Sequence, residues 1–360
     1  MSKTTVIGIS HGDINGISYE VILKALEDKR IFELCTPVVY GSPKVCAYHK
    51  KALDMDHINL NSIRHSGEAA KNRLNIINCV SEEVRVELGK STQEAGQASY
   101  IALKDAVKDL KDETIDALVT GPINKQNIQS DSFRYSGHTE YLKAIFEVDE
   151  VLMLMVSEIL KIGVVAGHVP ISELSSFITK ERVLAKIRIL NQSLQKDFNI
   201  RKPKIAVLGL NPHAGDDGLL GNEEKEIIQP AIEEAGKNNS LVFGPFPADG
   251  FFGSGTFKKF DGVLAMYHDQ GLIPFKAICG EEGVNYTAGL PVVRTSPAHG
   301  TAYELAGKGE ASSQSFRNAI YLACDIIKNR NLYDEIHANP LHDSYQSDSE
   351  KDDELDDLKE

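Results

Sequence analysis

Residues 261–300 read DGVLAMYHDQGLIPFKAICGEEGVNYTAGLPVVRTSPAHG. The apolar run 263–266 is short and uninterrupted, as a strand buried on both faces requires. It delivers His268 and Asp269 to an expected glycine turn at Gly271. Lys276, Asn285 and Arg294 follow. An imidazole, a carboxylate, two cations and an amide between apolar runs are costly to bury unless paired with one another or with a ligand. The stretch therefore reads as half of an active site.

The pattern repeats outward from it. Strands are expected at 4–10, 37–41, 74–80 and 117–120, then at 151–156, 162–166, 205–210 and 241–244. Helices are expected at 18–26, from 42 to about 53, at 93–110, 181–196, 223–235 with a kink at Pro230, and 313–329. Strands alternating with amphipathic helices predict an α/β fold with a largely parallel sheet. A chain of 360 residues is long for one core, so two domains are expected. The expected first is discontinuous, 1–130 plus 245–335. The second spans 131–244 and carries dimer contacts.

The net charge of −13 is uneven, because 348–360 holds eight acids and two lysines and so carries −6 of it. Residues 345–360 are expected to be an acidic, disordered tail. The remainder is mildly acidic, which gives no electrostatic case for nucleic acid. Five scattered cysteines without a CxxC pair fit reduced thiols in the cytoplasm. No secretory leader and no apolar run of membrane-spanning length is read, so no membrane partner is expected.

Three histidines stand just beyond expected strands: His168 after KIGVVAG, His213 after IAVLGLNP and His268 after GVLAMY. Ligands gather at the carboxyl ends of strands in open α/β sheets. Three neutral imidazoles there suit one divalent metal; taken singly, each better suits a hydrogen-bonded loop. His138 and Thr139, in SGHTEYL, mark a helix start where an anion can bind, or where Thr139 caps the helix with Glu140 in its first turn. Lys276 and Arg294 suit phosphate or carboxylate. Asp249 and Asp269 suit orientation of ligands or a proton relay. No GxGxxG follows a strand, so a dinucleotide-type Rossmann domain is not expected.

The pieces GDINGI, TGPINK, GHTEYL, GLNPHAGDDGLLGNEE, GPFPADGFF, MYHDQGLIPFK and GVNYTAGLPVVRTSPAHGTAYELAGKG together resemble the 4-hydroxythreonine-4-phosphate dehydrogenase family of vitamin B6 biosynthesis. They run in order from about residue 8 to 311. HGTAYELAGKG also looks like the adenine-side loop of isocitrate and isopropylmalate dehydrogenases, which share that family's fold. The resemblance thus implies a two-domain α/β/α fold with mixed, largely parallel sheets. It implies a homodimer whose active site is completed across the interface. One divalent ion, zinc, magnesium or cobalt, would be held by His168 and His213 of one subunit and His268 of the other, and these three with Lys276 would be catalytic. Substrate contacts fall to His138, Thr139, Lys276, Asn285 and Arg294, and NAD or NADP to His299, Gly300 and Thr301. The implied reaction oxidises 4-phosphooxy-L-threonine at C3 to 2-amino-3-oxo-4-phosphooxybutanoate, which loses CO2 to give 3-amino-2-oxopropyl phosphate.

Two motifs depart from the family pattern. GDINGISYE stands where GDPAGIGPE is usual, and Ala298 stands where an Asp usually precedes the histidine of HGT. Rival expectations are a sister dehydrogenase of 4-phosphoerythronate or phosphothreonate, a metal-dependent hydrolase, and a non-catalytic phosphate-binding protein.

Overall fold

The computed structural model describes residues 4–81, 83–237 and 240–339, so the expected acidic tail lies outside the described residues. The strands are β1 (Thr5–Ser10), β2 (Cys35–Gly41), β3 (Leu60–Ile63), β4 (Leu74–Asn78), β5 (Ala117–Thr120), β6 (Leu152–Val156), β7 (Lys161–Ala166), β8 (Lys204–Leu208), β9 (Leu241–Phe246), β10 (Gly262–Tyr267), β11 (Val284–Ala288) and β12 (Val293–Pro297). The helices are α1 (Ser18–Leu26), α2 (Ile31–Leu34), α3 (Pro43–Ala52), α4 (Gln93–Lys111), α5 (His138–Ile145), α6 (Leu174–Phe177), α7 (Lys180–Lys196), α8 (Gln229–Lys237), α9 (Ala248–Gly253), α10 (His268–Cys279) and α11 (Gln314–His337).

One continuous twelve-stranded sheet carries the fold, in the order β3-β4-β2-β1-β5-β12-β11-β6-β7-β10-β8-β9. It is parallel except at its middle, where β12, β11, β6 and β7 pair antiparallel in sequence. Successive side chains on a strand point to opposite faces. Val39 therefore packs with α1 and α11 while its neighbour Val38 packs with α4. In the other half, α7 and α8 cover the first of these faces and α9 and α10 the second. Helices on both faces explain why β10 is apolar throughout: Val263 to Met266 are all fully buried.

Three expectations need correction. The segment from 245 onward was expected in the first domain, but β10 lies between β7 and β8 and β11 pairs with β6. β12 crosses to the first half, beside β5, and α11 packs there on β12, β5, β1 and α1. Gly271 makes no turn; it lies inside α10. A Cβ there would stand 3.0 Å from Val164 Cγ1 and 3.2 Å from Ala265 Cβ, so the glycine lets the helix sit close on the sheet. The expected helix 223–235 opens instead as a π-helical turn, Glu224–Ile228, running into α8. Pro230 has no N–H for the carbonyl four residues back, and the ladder widens just ahead of it.

Candidate active site

The cleft lies where the two halves meet. β5 ends at Thr120, β7 leads to His168, β10 leads to His268, and β12 ends at Pro297 before His299. Because β11 is antiparallel, Asn285 near its start sits opposite Ser296 near the end of β12. α5 adds its first turn. The cleft has a cavity volume of about 290 Å³, and its lining includes Lys125, His138, Thr139, Glu140, His168, His268, Lys276, Asn285, Arg294, His299 and Gly300.

Arg294 is the deepest charge lining the cleft, 3% exposed. Its Nε and Nη2 donate to Thr120 Oγ1 at 3.1 and 2.6 Å, and its Nη1 donates to Thr287 Oγ1 at 3.2 Å. No carboxylate pairs with it among the described residues. Burial pulls its pKa down to about 10, with Glu140 opposing, so it stays cationic at neutral pH. A buried cation bonded only to hydroxyls is under-compensated, and desolvation costs several kcal/mol.

Three more groups are spare. His138 Nε2, Asn285 Oδ1 and His299 Nε2 are buried without a hydrogen-bond partner. Burial, then the cations of Arg294 and Lys125, hold the His138 pKa well below the usual imidazole range. Thr139 was expected as a possible cap; the cap is the extended Gly137, without a side-chain bond. The first N–H groups of α5 are therefore open toward the cleft, a setting that favours anions. Unpaired buried polar atoms are uncommon in folded proteins; three around one cleft point to a ligand.

His168 and His268 stand together, ring centroids 6.1 Å apart. His268 Nδ1 lies 2.7 Å from Asp269 Oδ1, a bond that fixes the tautomer and leaves Nε2 for a ligand. Burial and then Lys125, whose Nζ is 3.5 Å from Nε2, lower the His168 pKa against the pull of Glu140. Two imidazoles just beyond adjacent strands fit a divalent ion.

His213 is exposed and does not line the cleft, and no group of three metal-ligating side chains forms among the described residues. The expected division, with His268 apart from His168, is thus not what one chain presents. His213 begins five consecutive residues, to Asp217, with left-handed φ values between 42° and 81°. Such a run costs roughly 1–2 kcal/mol for each non-glycine residue. Glu224 braces it: Oε1 accepts the Leu210 and Asn211 N–H groups and Oε2 accepts Asn211 Nδ2. Asp249, on α9, does not line the cleft.

The loop beyond β12 is held by the first motif. Ile17 N–H donates to Thr301 O. Asp13 Oδ2 accepts from Tyr303 Oη and Asn127 Nδ2 at 2.8 Å each. A Cβ on Gly16 would meet Thr301 O at 2.5 Å, so only glycine allows this approach. His299 and Gly300 reach the cleft, whereas the Thr301 carbonyl is spent on Ile17. The departures from the family motif are filled locally. Ser18 donates to Pro122 O, and Tyr19 stacks on His49 with its hydroxyl accepting the Ser42 N–H.

Sequence reading missed Lys125 and Glu140. Both lie inside quoted motifs, TGPINK and GHTEYL, but nothing local to either motif shows that they converge. A larger cavity of about 540 Å³ beside α11, lined by Val156, Lys161, Phe198 and Cys324 among others, holds none of the buried unpaired polar atoms.

The chain is similar to known proteins over most of its length. The family model described as pyridoxal phosphate biosynthetic protein PdxA matches residues 33–323. A 4-hydroxythreonine-4-phosphate dehydrogenase of Bacteroides thetaiotaomicron is 52% identical over 98% of this chain and 96% of the relative. One from Sulfurihydrogenibium is 41% identical over 88% of this chain and 97% of the relative. The crystal structure of the Klebsiella pneumoniae 4-hydroxythreonine-4-phosphate dehydrogenase superposes with a TM-score of 0.80 at 31% identity, covering 90% of this chain and 98% of that one.

Proposed function

The chain belongs to the pyridoxal phosphate biosynthetic protein PdxA family and is an enzyme, a dehydrogenase of that family; from that premise we propose that it oxidises 4-phosphooxy-L-threonine at the C3 hydroxyl with NAD or NADP. The product, 2-amino-3-oxo-4-phosphooxybutanoate, is a β-keto acid and loses CO2 to give 3-amino-2-oxopropyl phosphate. The observation that carries this reading is the buried, carboxylate-free Arg294 beside the spare His138 and the open first turn of α5. That set matches a phosphate dianion in charge and donors. Lys276 and Asn285 border the same space and would hold the rest of the substrate, which supplies positioning.

His168 and His268 would hold the divalent ion from one chain, and His213 of a second copy would complete the set. The exposed apolar side chains near His213 and His168, Leu219 at 79% and Ile171 at 83%, support burial against a partner. Imidazole ligands suit zinc or cobalt better than magnesium. His299 and Gly300, with the braced loop behind them, would take the nicotinamide nucleotide. When bound, the ion supplies Lewis acidity at the substrate oxygen and the nicotinamide accepts the hydride. The chain's own groups hold the phosphate, lower the His168 pKa and orient His268 through Asp269. The two halves of the sheet are the domains flanking the cleft. Among the described residues no helix is long and apolar enough to cross a membrane, and the five cysteines are free, which supports a reducing compartment, the cytoplasm.

The test is absorbance of reduced nicotinamide with 4-phosphooxy-L-threonine, NAD or NADP and a divalent ion, with parallel chelator and 4-phosphoerythronate runs. Metal-dependent reduction with the amino substrate is expected. Reduction with the erythronate alone would make the chain a sister dehydrogenase. Phosphate release without reduction would make it a hydrolase. Mixing inactive subunits tests the ligand division: H213A with H268A is expected to regain activity, while H168A with H268A stays dead. Activity from H168A with H268A would restore the division in which His268 comes from the other subunit.

A further inference from the structure

Glu140 is the one carboxylate among the residues lining the cleft. It is half-buried in the first turn of α5. A glutamate three residues after an N-cap ordinarily bonds back to the cap N–H. Here no such bond forms: Glu140 has no hydrogen-bond or ion-pair partner among the described residues, although a Cβ on Gly137 would lie only 3.7 Å from its Oε2. The other charged or titratable side chains that line the cleft are cationic or imidazole: Lys125, Lys276 and Arg294, with His138, His168, His268 and His299. It lines the same cleft as Arg294 at the phosphate-suited end and as His168 and His268 at the metal-suited end, and its charge raises the pKa values of Arg294 and His168 against burial.

A pocket built only to take a phosphorylated hydroxy acid gains nothing from a spare carboxylate, which would repel both anionic ends of the ligand. A ligand carrying an ammonium group between those ends turns the same carboxylate into a contact. We infer that Glu140 receives the substrate's α-ammonium group and selects the amino acid over its α-hydroxy counterpart. This assignment rests on the substrate reading above. Specificity arises because removal of the ammonium leaves a carboxylate unpaired among anions.

The experiment compares kcat/KM for 4-phosphooxy-L-threonine and for 4-phosphoerythronate in the wild type, Glu140→Gln and Glu140→Asp, with bound metal measured in each. The isosteric Glu140→Gln is expected to lose about 10- to 100-fold on the amino substrate, chiefly in KM, as loss of a charged hydrogen bond implies. Its rate on the erythronate is expected to hold or rise, with metal content unchanged. Glu140→Asp is expected to recover part of the preference. Because both substrates meet the same preparation, the ratio of the two rates is independent of how much variant folds. Equal losses on both substrates, or a drop in bound metal, would overturn the Glu140 assignment alone. A wild type that ignores the amino substrate would overturn the substrate reading and this inference with it.

Discussion

Asp13 and Arg294 are both buried charges, and the fold treats them oppositely. Asp13, fully buried, accepts from Asn15 N, Asn127 Nδ2 and Tyr303 Oη at 2.9, 2.8 and 2.8 Å. Around it His11 bonds Ala98 O, His49 bonds Ile14 O, and Glu20 takes Lys24 and the Ala311 N–H. Arg294 meets only the hydroxyls of Thr120 and Thr287. Spare atoms occur beside both charges, at His11 Nδ1 and Asn127 Oδ1 as at His138 Nε2 and Asn285 Oδ1, so the contrast lies in the partners of the two charges themselves. The difference separates a charge that the fold uses for itself from one that it holds for a ligand. A structural charge should cost stability when removed. A ligand-facing charge should cost activity and leave the fold unharmed, because its burial was never compensated internally.

Arg294→Ala gives the largest expected effect. It should lower kcat/KM for the phosphorylated substrate by about 100- to 1000-fold, mainly through KM, as truncating a buried charged contact does. The urea midpoint should stay level or rise. Steady-state kinetics and denaturation of the same sample measure both, and a fall in midpoint with unchanged KM would make Arg294 a structural residue.

Asp13→Ala should show the converse. Three donors lose their acceptor in a closed interior, so stability should fall by about 2–4 kcal/mol. The bond from Tyr303 goes with it, so KM for the nucleotide should rise while KM for the phosphorylated substrate changes little. A variant as stable as the wild type would break the contrast.

The effect that is smallest near neutral pH is a pH dependence confined to the structural region. Burial, against the Ala98 bond and helped by His49, pushes the His11 pKa down to about 4. Burial, against the Ile14 bond, pushes His49 to about 4. Both rings are neutral when folded, and the unfolded chain takes up protons below its own pKa of about 6.5. Their contribution is thus full above pH 6.5 and drains away as pH falls toward 4, at about 1 kcal/mol per pH unit for each ring. His49→Gln can keep a bond to Ile14 O without titrating. Its thermal midpoint should fall less steeply than that of the wild type between pH 6.5 and 4; parallel slopes would remove His49 from the account.

The strands and helices were largely legible in the sequence. Runs such as Ala117–Thr120 and Ser18–Leu26 match the expected spans because burial on one face or both imposes its period locally. The cleft-lining residues His268, Lys276, Asn285 and Arg294 stood out too, since they are polar groups set in apolar runs. Gly271 misled because a glycine that admits a close helix and one that makes a turn are identical in sequence. β3 was missed because LNSI is only partly buried and edge-placed, and β11 and β12 were not read as strands because Asn285 and Arg294 interrupt their apolar residues. Lys125 and Glu140 gave no signal, because nothing in either motif reveals a cleft assembled from β5, β7, β10, β12 and α5.

By itself the sequence determined the element types, the α/β class and the side chains capable of chemistry, all of which follow from neighbours along the chain. Only the tertiary structure decided which half of the sheet β10 and β11 join, that His168 and His268 meet while His213 turns outward, and which buried polar atoms find partners. Pairing depends on groups tens to hundreds of residues apart: Tyr303 reaches back to Asp13, and Arg294 to Thr120. Whether a buried charge is structural or waiting for a ligand is a property of that closed set of partners, and the set exists only once the chain has folded.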